Sequence, residues 1–249
     1  MRRSLGIGIG SDPSRIVESV LRYPSPADII CYARPGSIGG ESGSLQIVSD
    51  PDPGMRMIQD LVSGKLRAAV RGTLPSHETL HILKTSCHAE VLERIVLLET
   101  PGGDRFFLAP VGIDEGWTVS QKVSLVEKGR RLTSRFGLGD QVGILSGGRL
   151  GDTGRYEVVD RTMADAELVA RITGATHYEI RIEDAIRECG LIIAPDGISG
   201  NLIFRTLLFA GKGIAHGAPV VNVPVIFVDT SRVNPDYTHA LILASTLSA

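Results

Sequence analysis

The sequence has little of what marks secreted or membrane proteins. Its three cysteines, Cys31, Cys87 and Cys189, are odd in number and far apart, so they do not fit a disulfide framework and indicate buried thiols. No uninterrupted apolar run approaches the ~18 residues of a membrane span, and no apolar signal segment follows the first three residues. We therefore expect a cytoplasmic protein that has no membrane partner.

The sequence also lacks an excess of charge of either sign. Lysine and arginine number 26 and the acidic residues 28, so no field of the whole molecule attracts nucleic acid. Hydrophobic residues make up 43% and charged residues 22%, which is typical of a globular protein with a substantial core. The 249 residues are enough for one large domain or for two moderate ones.

Strand-like and helix-like segments alternate along the chain, which predicts an α/β protein with a largely parallel sheet. A turn at residues 101–104 joins two strands as a hairpin, so we expect mixed pairing there. Residues 34–44 are rich in glycine and are interpreted as a mobile loop near a site, or as an ordinary surface loop. The predicted strands are residues 4–9, 27–32, 45–48, 66–70, 94–99, 105–111, 141–145, 191–194 and 220–229, the last interrupted by Asn222 and Pro224. The predicted helices are residues 13–21, 53–63, 119–136, 163–172, 178–188, 202–209 and 234–243, with another that opens at 75–76.

Residues 190–221 contain the segment that is most typical of a ligand site. An apolar run ends at Pro195-Asp196-Gly197, and a second apolar run follows Gly200-Asn201. This pattern predicts a buried strand, a glycine-rich turn and the first turn of a helix. Because helix N-termini and the ends of parallel strands bind anions, we expect an anionic ligand here.

Two other patterns suggest different chemistry. Gly6, Gly8 and Gly10 resemble a dinucleotide fingerprint, but its last small residue is missing, so a nucleotide cofactor is not expected. His77-Glu78-x-x-His81 matches a zinc-peptidase motif. The motif lies at the start of its helix and lacks the usual third ligand, so we expect no metal and keep a zinc peptidase as a third hypothesis.

Two polar segments follow predicted strands and could bind an anion. The glycine-rich loop at residues 146–154 offers backbone N–H groups and the side chain of Arg149, or is only a flexible connection. In Asp229-Thr230-Ser231-Arg232, a hydroxyl stands beside a guanidinium, which together can stabilise charge at a reacting centre. A turn with a helix cap would explain the same four residues.

These segments together resemble the phosphate acetyl/butyryl transferase family. The resemblance extends over residues 66–249, and its most specific parts are P-D-x-x-x-G-N at 195–201 and D-x-S-R at 229–232. Val70-Arg71-Gly72 is similar to a V-S-G segment of the family, with arginine in place of serine. Ser146 follows the matching strand, and Asp184 fits an acidic position. Within the family, the chain is most similar to the methanogenesis marker proteins that are known as methyltransferase subunit X.

The resemblance implies a fold like that of isocitrate and isopropylmalate dehydrogenases, with two α/β domains, an interdomain cleft and a homodimer. We expect the first domain to comprise residues 1–117 and 231–249, and the second to comprise 118–230. The resemblance assigns catalysis to Ser231 and Arg232, with Asp236 as the nearby acid. It implies a substrate- or anion-binding role for a further set: Arg71, Ser146, Arg149, Asp184, Asp196, Gly197, Gly200, Asn201 and Asp229.

The chain departs from the family pattern around its D-x-S-R segment. Val228 replaces an asparagine, Val233 replaces a glycine, and the following acidic residue is nearer. We therefore expect an anion site whose substrate differs from acetyl phosphate. The leading hypothesis is a phosphotransacylase-like transferase of a methanogenic archaeon, with coenzyme A as a substrate and no covalently bound cofactor. The alternative is an accessory subunit of a methyl-transfer system.

Overall fold

The computed structural model describes residues 4–38, 45–232 and 234–249. No helix in these ranges is long and apolar enough to cross a membrane. The described chain contains eleven strands and eight α-helices. The strands are β1 Ser4–Gly8, β2 Ile29–Ala33, β3 Gln46–Ser49, β4 Leu66–Val70, β5 Val96–Glu99, β6 Arg105–Ala109, β7 Val142–Leu145, β8 Thr176–Glu179, β9 Leu191–Ile193, β10 Ile214–Pro219 and β11 Phe227–Asp229. The helices are α1 Pro13–Arg22, α2 Pro53–Val62, α3 Ser76–Ser86, α4 Val119–Arg135, α5 Glu157–Thr173, α6 Ile182–Glu188, α7 Gly197–Arg205 and α8 Thr238–Leu247.

The chain forms two compact units, each with strands and helices. The first unit is Met1–Leu92 with His216–Ala249, and the second unit is Glu93–Ala215. The sequence prediction also assigned the C-terminal residues to the first domain, but it placed the domain boundaries after residues 117 and 230. The contacts move both boundaries, because β5 and β6 pair with each other and β6 pairs with β9, whereas β11 pairs with β4.

The first unit is built on a mostly parallel sheet. Its strands lie in the order β3-β2-β1-β4-β11-β10, and every pairing described up to β11 is parallel. Only β10 runs antiparallel to its neighbour β11. Except at β3, the parallel strands are largely apolar and buried, which is typical of parallel sheets that helices cover. Their carboxyl ends therefore meet at one edge, which is where such sheets bind ligands.

The second unit has a shorter sheet of the same kind. Its order is β5-β6-β9-β7-β8, with β5 and β6 antiparallel and the remaining pairs parallel. The predicted hairpin at residues 101–104 therefore forms. Helix α4 begins with a capping box, in which the Thr118 hydroxyl accepts from the Gln121 N–H and the Gln121 side chain accepts from the Thr118 N–H.

The largest errors of the sequence prediction lie in the last third of the chain. Residues 220–229 were predicted as a last strand that Asn222 and Pro224 interrupt, but only Phe227–Asp229 is a strand, and residues 214–219 form the preceding one. Pro224 cannot donate a ladder hydrogen bond, which explains the break. Helix α5 starts at Glu157 and not at 163, and α7 starts at Gly197 and not at 202. In both helices the first turns mix apolar residues with polar or small ones, so a regular apolar pattern begins only later in the helix.

Candidate anion-binding site

Arg71 and Asp229 form a buried ion pair where β4 and β11 end. The Arg71 Nε atom donates to Asp229 Oδ1 at 2.5 Å, and a second guanidinium nitrogen donates to the Leu74 carbonyl oxygen at 2.6 Å. The Thr230 N–H also donates to Asp229 Oδ1, at 2.8 Å. The two side chains are 4% and 12% exposed, so the pair joins the two strand ends inside the first unit.

The turn after β11 is fixed by hydrogen bonds around Ser231. The Ser231 carbonyl oxygen accepts from the Asn234 N–H at 3.1 Å and from the Tyr237 hydroxyl at 2.9 Å. The Thr230 hydroxyl donates to the Gly72 carbonyl oxygen at 2.9 Å. These bonds hold the turn against the end of β4, and the side chain of Arg232 is exposed beyond it.

Arg232 lines a cavity of about 280 Å³ in the first unit. Arg34, which follows β2, contributes a second guanidinium, and Thr73 and Ser11 contribute hydroxyl groups. Within the described part of the chain, neither guanidinium has a hydrogen bond or ion pair with another side chain. The other lining residues are Ile9, Gly10, Ser37, Asp52, Pro53, Gly54, Leu74, Pro75, Glu78, Thr79 and Ile82. The cavity thus combines two cationic groups with hydroxyl donors at the edge where the parallel strands end.

The glycines after β1 let two backbone segments approach closely beside this cavity. A Cβ atom at Gly10 would lie 2.5 Å from the Thr73 carbonyl oxygen, and one at Gly8 would lie 2.7 Å from that of Arg71. The Gly10 N–H donates to the Thr73 hydroxyl oxygen at 3.0 Å. Gly8 and Gly10 therefore allow close packing between the end of β1 and the segment after β4.

Asp236 lies outside the residues that line the cavity and stabilises helix α8. Its Oδ1 atom accepts from the Thr238 N–H at 2.7 Å, and its Oδ2 atom accepts from Arg22 at 3.2 Å. Partial burial of Asp236 raises its pKa, but the hydrogen bonds from Thr238, Arg22 and Ser19 outweigh this effect and lower the pKa below its ordinary value. A catalytic role for Asp236 stays a prediction, and its present partners are structural.

In the second unit, Asp196 caps helix α7. Its Oδ1 atom accepts from the Ser199 N–H at 2.8 Å, and its Oδ2 atom accepts from the Ser199 hydroxyl at 3.1 Å. The Gly197 N–H donates to the Glu115 carbonyl oxygen at 3.0 Å. At least two of the N–H groups that we predicted for anion binding therefore already have protein acceptors.

The other predicted residues of α7 pack this helix against residues 110–115. A Cβ atom at Gly197 would overlap the Gly112 carbonyl oxygen, and one at Gly200 would overlap that of Pro110. The side-chain nitrogen of Asn201 donates to the Val111 carbonyl oxygen at 3.0 Å. The P-D-x-x-x-G-N segment thus explains how α7 docks, and its binding role stays a prediction.

The glycine-rich loop after β7 is held by its own hydrogen bonds. The Gly147 N–H donates to the Thr162 hydroxyl oxygen, the Arg149 N–H to Asp152 and the Gly154 N–H to Asp160, each at 2.9 Å. Carboxylates thus occupy several positions that an anion would need. The Arg149 side chain is exposed on this loop.

Ser146 belongs to a row of hydrogen-bonded polar groups that the sequence prediction missed, and that runs from the buried Ser146 to the exposed Glu167. Its hydroxyl oxygen lies 2.8 Å from His177 Nε2 and 2.9 Å from the Gly148 carbonyl oxygen. His177 Nδ1 lies 3.3 Å from Glu167 Oε1. Ser146 is 2% exposed, so these hydrogen bonds fix the start of the loop, and the hydroxyl does not face solvent.

Asp184 is connected to the same loop through Arg181. The Arg181 guanidinium donates to Asp184 Oδ2 at 3.0 Å and lies 3.3 Å from Glu179 Oε2. The other Glu179 oxygen accepts from the Leu150 N–H at 2.8 Å. This hydrogen bond lowers the pKa of Glu179 below its ordinary value. Asp184 therefore contacts the loop only indirectly, through Arg181 and Glu179.

The His77-Glu78-x-x-His81 motif lies in the first two turns of α3, as predicted from Pro75 and Ser76. Both histidines are exposed, whereas Glu78 lines the cavity. Among the residues that the structure describes, no three His, Cys, Asp or Glu side chains are placed to hold a metal ion.

Some expectations lie outside the described residues, and some cavity residues were not expected. Most of the predicted mobile loop, residues 39–44, and Val233 are not described. Arg34, Ser11 and Thr73 had not been singled out as binding residues. Each follows a predicted parallel strand, which was the available signal for them.

The chain is similar over nearly its whole length to several methanogen proteins. It is 42% identical over 254 residues to the "Putative methyltransferase mtx subunit X" of Methanosarcina barkeri, covering 99% of this chain and 94% of the relative. It is 44% identical over 258 residues to the protein of the same name from Methanosarcina acetivorans, covering 99% of this chain and 91% of the relative. It is 37% identical over 260 residues to the "Uncharacterized methyltransferase MK0941" of Methanopyrus kandleri, covering 98% of each. No family model matches the sequence.

Solved structures with the same fold include phosphotransacylases and dehydrogenases. A branched-chain phosphotransacylase from Enterococcus faecalis V583 has a TM-score of 0.76 at 16% identity, covering 98% of both chains. A phosphotransacetylase from Streptococcus pyogenes has a TM-score of 0.72 at 13% identity, covering 99% of this chain and 94% of the other. A 4-hydroxythreonine-4-phosphate dehydrogenase from Klebsiella pneumoniae has a TM-score of 0.62 at 12% identity, covering 99% of this chain and 100% of the other. At these identities the similarity shows the fold.

Proposed function

Since the chain belongs to the family of methanogen proteins named methyltransferase mtx subunit X, we propose that it is a cytoplasmic group transferase of a methanogenic archaeon. Its reaction is of the phosphotransacylase type, with coenzyme A, an acyl phosphate or a related anion as substrate. The fold supports this proposal, because phosphotransacylases share it. The interdomain cleft that the resemblance implies stays a prediction.

The observation that carries the proposal is the position of Arg232. Its guanidinium lines a cavity at the carboxyl ends of parallel strands, and within the described residues it has no hydrogen bond or ion pair with another side chain. Arg34 adds a second positive charge, and the hydroxyl groups of Thr73 and Ser11 add donors. Such a set binds a phosphoryl or carboxylate group well, since charged hydrogen bonds are stronger than neutral ones.

The chemistry we propose is positioning together with electrostatic stabilisation. Arg232, with the neighbouring Ser231 hydroxyl, stabilises the negative charge that develops when a thiolate attacks a carbonyl or phosphoryl centre. Arg71 and Asp229 keep the turn that bears these residues in place through their buried ion pair. Coenzyme A is a substrate in this account, and no cofactor is bound covalently.

Calorimetry with coenzyme A and with acetyl phosphate tests the proposal. We expect binding by the intact protein, and a loss of affinity of about tenfold or more in Arg232→Ala, because a charged hydrogen bond is removed. Arg171→Ala is the control, since Arg171 is an exposed arginine on α5 that does not line the cavity. If neither ligand binds, or if both variants bind like the intact protein, the proposed function is wrong.

The names of the relatives support a second candidate, an accessory subunit in methyl transfer. In that case the chain acts with other methyltransferase subunits and has little transferase activity of its own. Affinity purification of the tagged chain from native extract separates the two candidates. An accessory subunit retains a partner in constant ratio through a second column, whereas an independent transferase elutes without one.

We also propose that the protein is a homodimer. Helix α7 and the short π-helix after it, residues 206–210, carry several exposed apolar side chains. Ile198 is 48%, Leu202 is 60% and Phe209 is 45% exposed, although large apolar side chains of this kind are usually buried. A second copy of the chain would cover this surface.

A further inference from the structure

The cavity beside Arg232 contains an acidic group as well as basic ones. Glu78 of α3 lines the cavity that Arg232 and Arg34 also line. Its carboxylate has no hydrogen bond or ion pair with another side chain in the described ranges. Glu78 is exposed, so it is available to a ligand.

The periodicity of α3 explains why Glu78 lines the cavity and the histidines next to it do not. The lining residues of this segment are Pro75, Glu78, Thr79 and Ile82. Their spacing of three and four residues places them on one face of the helix. The glutamate of the His77-Glu78-x-x-His81 motif therefore belongs to the candidate site, without the metal chemistry that the motif suggested.

Asp52 is a second carboxylate at the cavity, but it has a structural role. Its Oδ1 atom accepts from the Met55 N–H at 3.0 Å, which caps helix α2. One oxygen of Asp52 is thus engaged in this cap, whereas the Glu78 carboxylate has no such partner among the described residues.

A purely anionic ligand would bind in this cavity less tightly than a ligand that also carries a positive charge. In a volume of about 280 Å³, a phosphoryl group held by Arg232 would lie close to the Glu78 carboxylate. Like charges at short range inside a protein repel each other strongly. A ligand that also carries a cationic nitrogen would be attracted to the Glu78 carboxylate instead of being repelled by it. The apolar side chains of Ile9, Leu74 and Ile82 would contact a short aliphatic segment between the two charges of such a ligand.

We infer that Glu78 determines specificity, and that it selects a substrate carrying an ammonium group in addition to the anion that Arg232 binds. The substrate class is thus an aminoalkyl phosphate, or an acyl group that bears an amine. The inference rests on the proposed function, because it takes Arg232 as the anchor of the anion.

Two phosphonates of equal size test this inference. 2-Aminoethylphosphonate ends in an ammonium group, and propylphosphonate carries a methyl group in its place. Calorimetry at a pH where both phosphonate groups carry the same charge should show the amino compound binding about tenfold more tightly to the intact protein. In Glu78→Gln we expect this preference to disappear while propylphosphonate binds at least as well as before. Glu90→Gln is the matched control, since Glu90 is exposed and does not line the cavity, and it should keep the preference.

The possible outcomes separate this inference from the proposed function. If both phosphonates bind equally and Glu78→Gln changes both alike, the role of Glu78 is wrong while the anion site remains. If neither phosphonate, acetyl phosphate nor coenzyme A binds, the proposed function fails and the inference fails with it. Thermal unfolding of each variant confirms that a lost preference does not come from a lost fold.

Discussion

At the residue scale, the Arg71–Asp229 pair is the interaction whose removal we expect to cost most. Asp229→Ala leaves the buried guanidinium of Arg71 without its counter-ion. We expect the free energy of unfolding to fall by about 3–5 kcal/mol, because an unpaired buried charge is strongly unfavourable. Denaturation in urea measures this loss. Asp184→Ala, which breaks a more exposed pair with Arg181, should cost about 1 kcal/mol or less, and an equal cost for both variants would contradict the account.

Asp60 is the residue for which we predict a dependence of stability on pH. Burial raises the pKa of Asp60, but hydrogen bonds from Lys65, Tyr32 and Arg56 outweigh burial and lower it below its ordinary value. A carboxylate whose pKa is lower in the folded state adds stability above the unfolded pKa of about 4, and this stability is lost as the pH falls through the folded pKa.

Unfolding measured between neutral and acid pH tests this prediction. Asp60→Asn should be less stable at neutral pH and should lose less stability on acidification than the intact protein. Asp140→Asn is the control, because Asp140 is exposed and has no hydrogen bond or ion pair with a described residue. If Asp60→Asn loses as much stability between neutral and acid pH as the intact protein does, Asp60 is not the group responsible.

At the scale of single elements, the start of α7 depends on two glycines. In Gly197→Ala, the added methyl group overlaps the Gly112 carbonyl oxygen, so the helix must move away from residues 110–115. We expect a loss of about 1–3 kcal/mol or more, as for other overpacked sites. Gly151→Ala is the control, since no atom lies within 4 Å of the added Cβ. Equal unfolding midpoints for the two variants would show that α7 does not dock as described.

The same elements show how far the sequence could predict the structure. Strands β1 and β4 and helices α1, α2 and α4 were predicted within two residues, because their apolar periodicity is regular and their ends carry caps or prolines. Strand β10 was not predicted, since its antiparallel pairing with β11 depends on a contact that no local pattern reveals. In the candidate site, Arg232 was predicted from its motif. Arg34 was not, because its position after a predicted strand, although a signal, does not by itself distinguish a binding arginine from a surface one.

At the scale of the whole molecule, the exposed apolar face of α7 predicts a change of oligomeric state. Leu202→Glu places a charge in the proposed contact between two copies and should convert the dimer to a monomer. Light scattering after gel filtration measures the mass directly. Leu168→Glu, at a leucine on α5 that is 49% exposed, should remain dimeric. A monomeric intact protein, or a dimeric Leu202→Glu variant, would contradict the proposal.

The central claim concerns where the molecule binds an anion. The glycine-rich loop, the start of α7 and the segment 229–232 were the predicted places, but in the first two of these many N–H groups already have protein acceptors. The cavity beside Arg232 has available guanidinium groups. The most direct measurement is a crystal structure of the intact protein soaked with phosphate. The account predicts a phosphate ion hydrogen-bonded to the guanidinium of Arg232 in the cavity that Arg34 and Thr73 also line, and a phosphate bound only at residues 146–154 or 196–201 would contradict it.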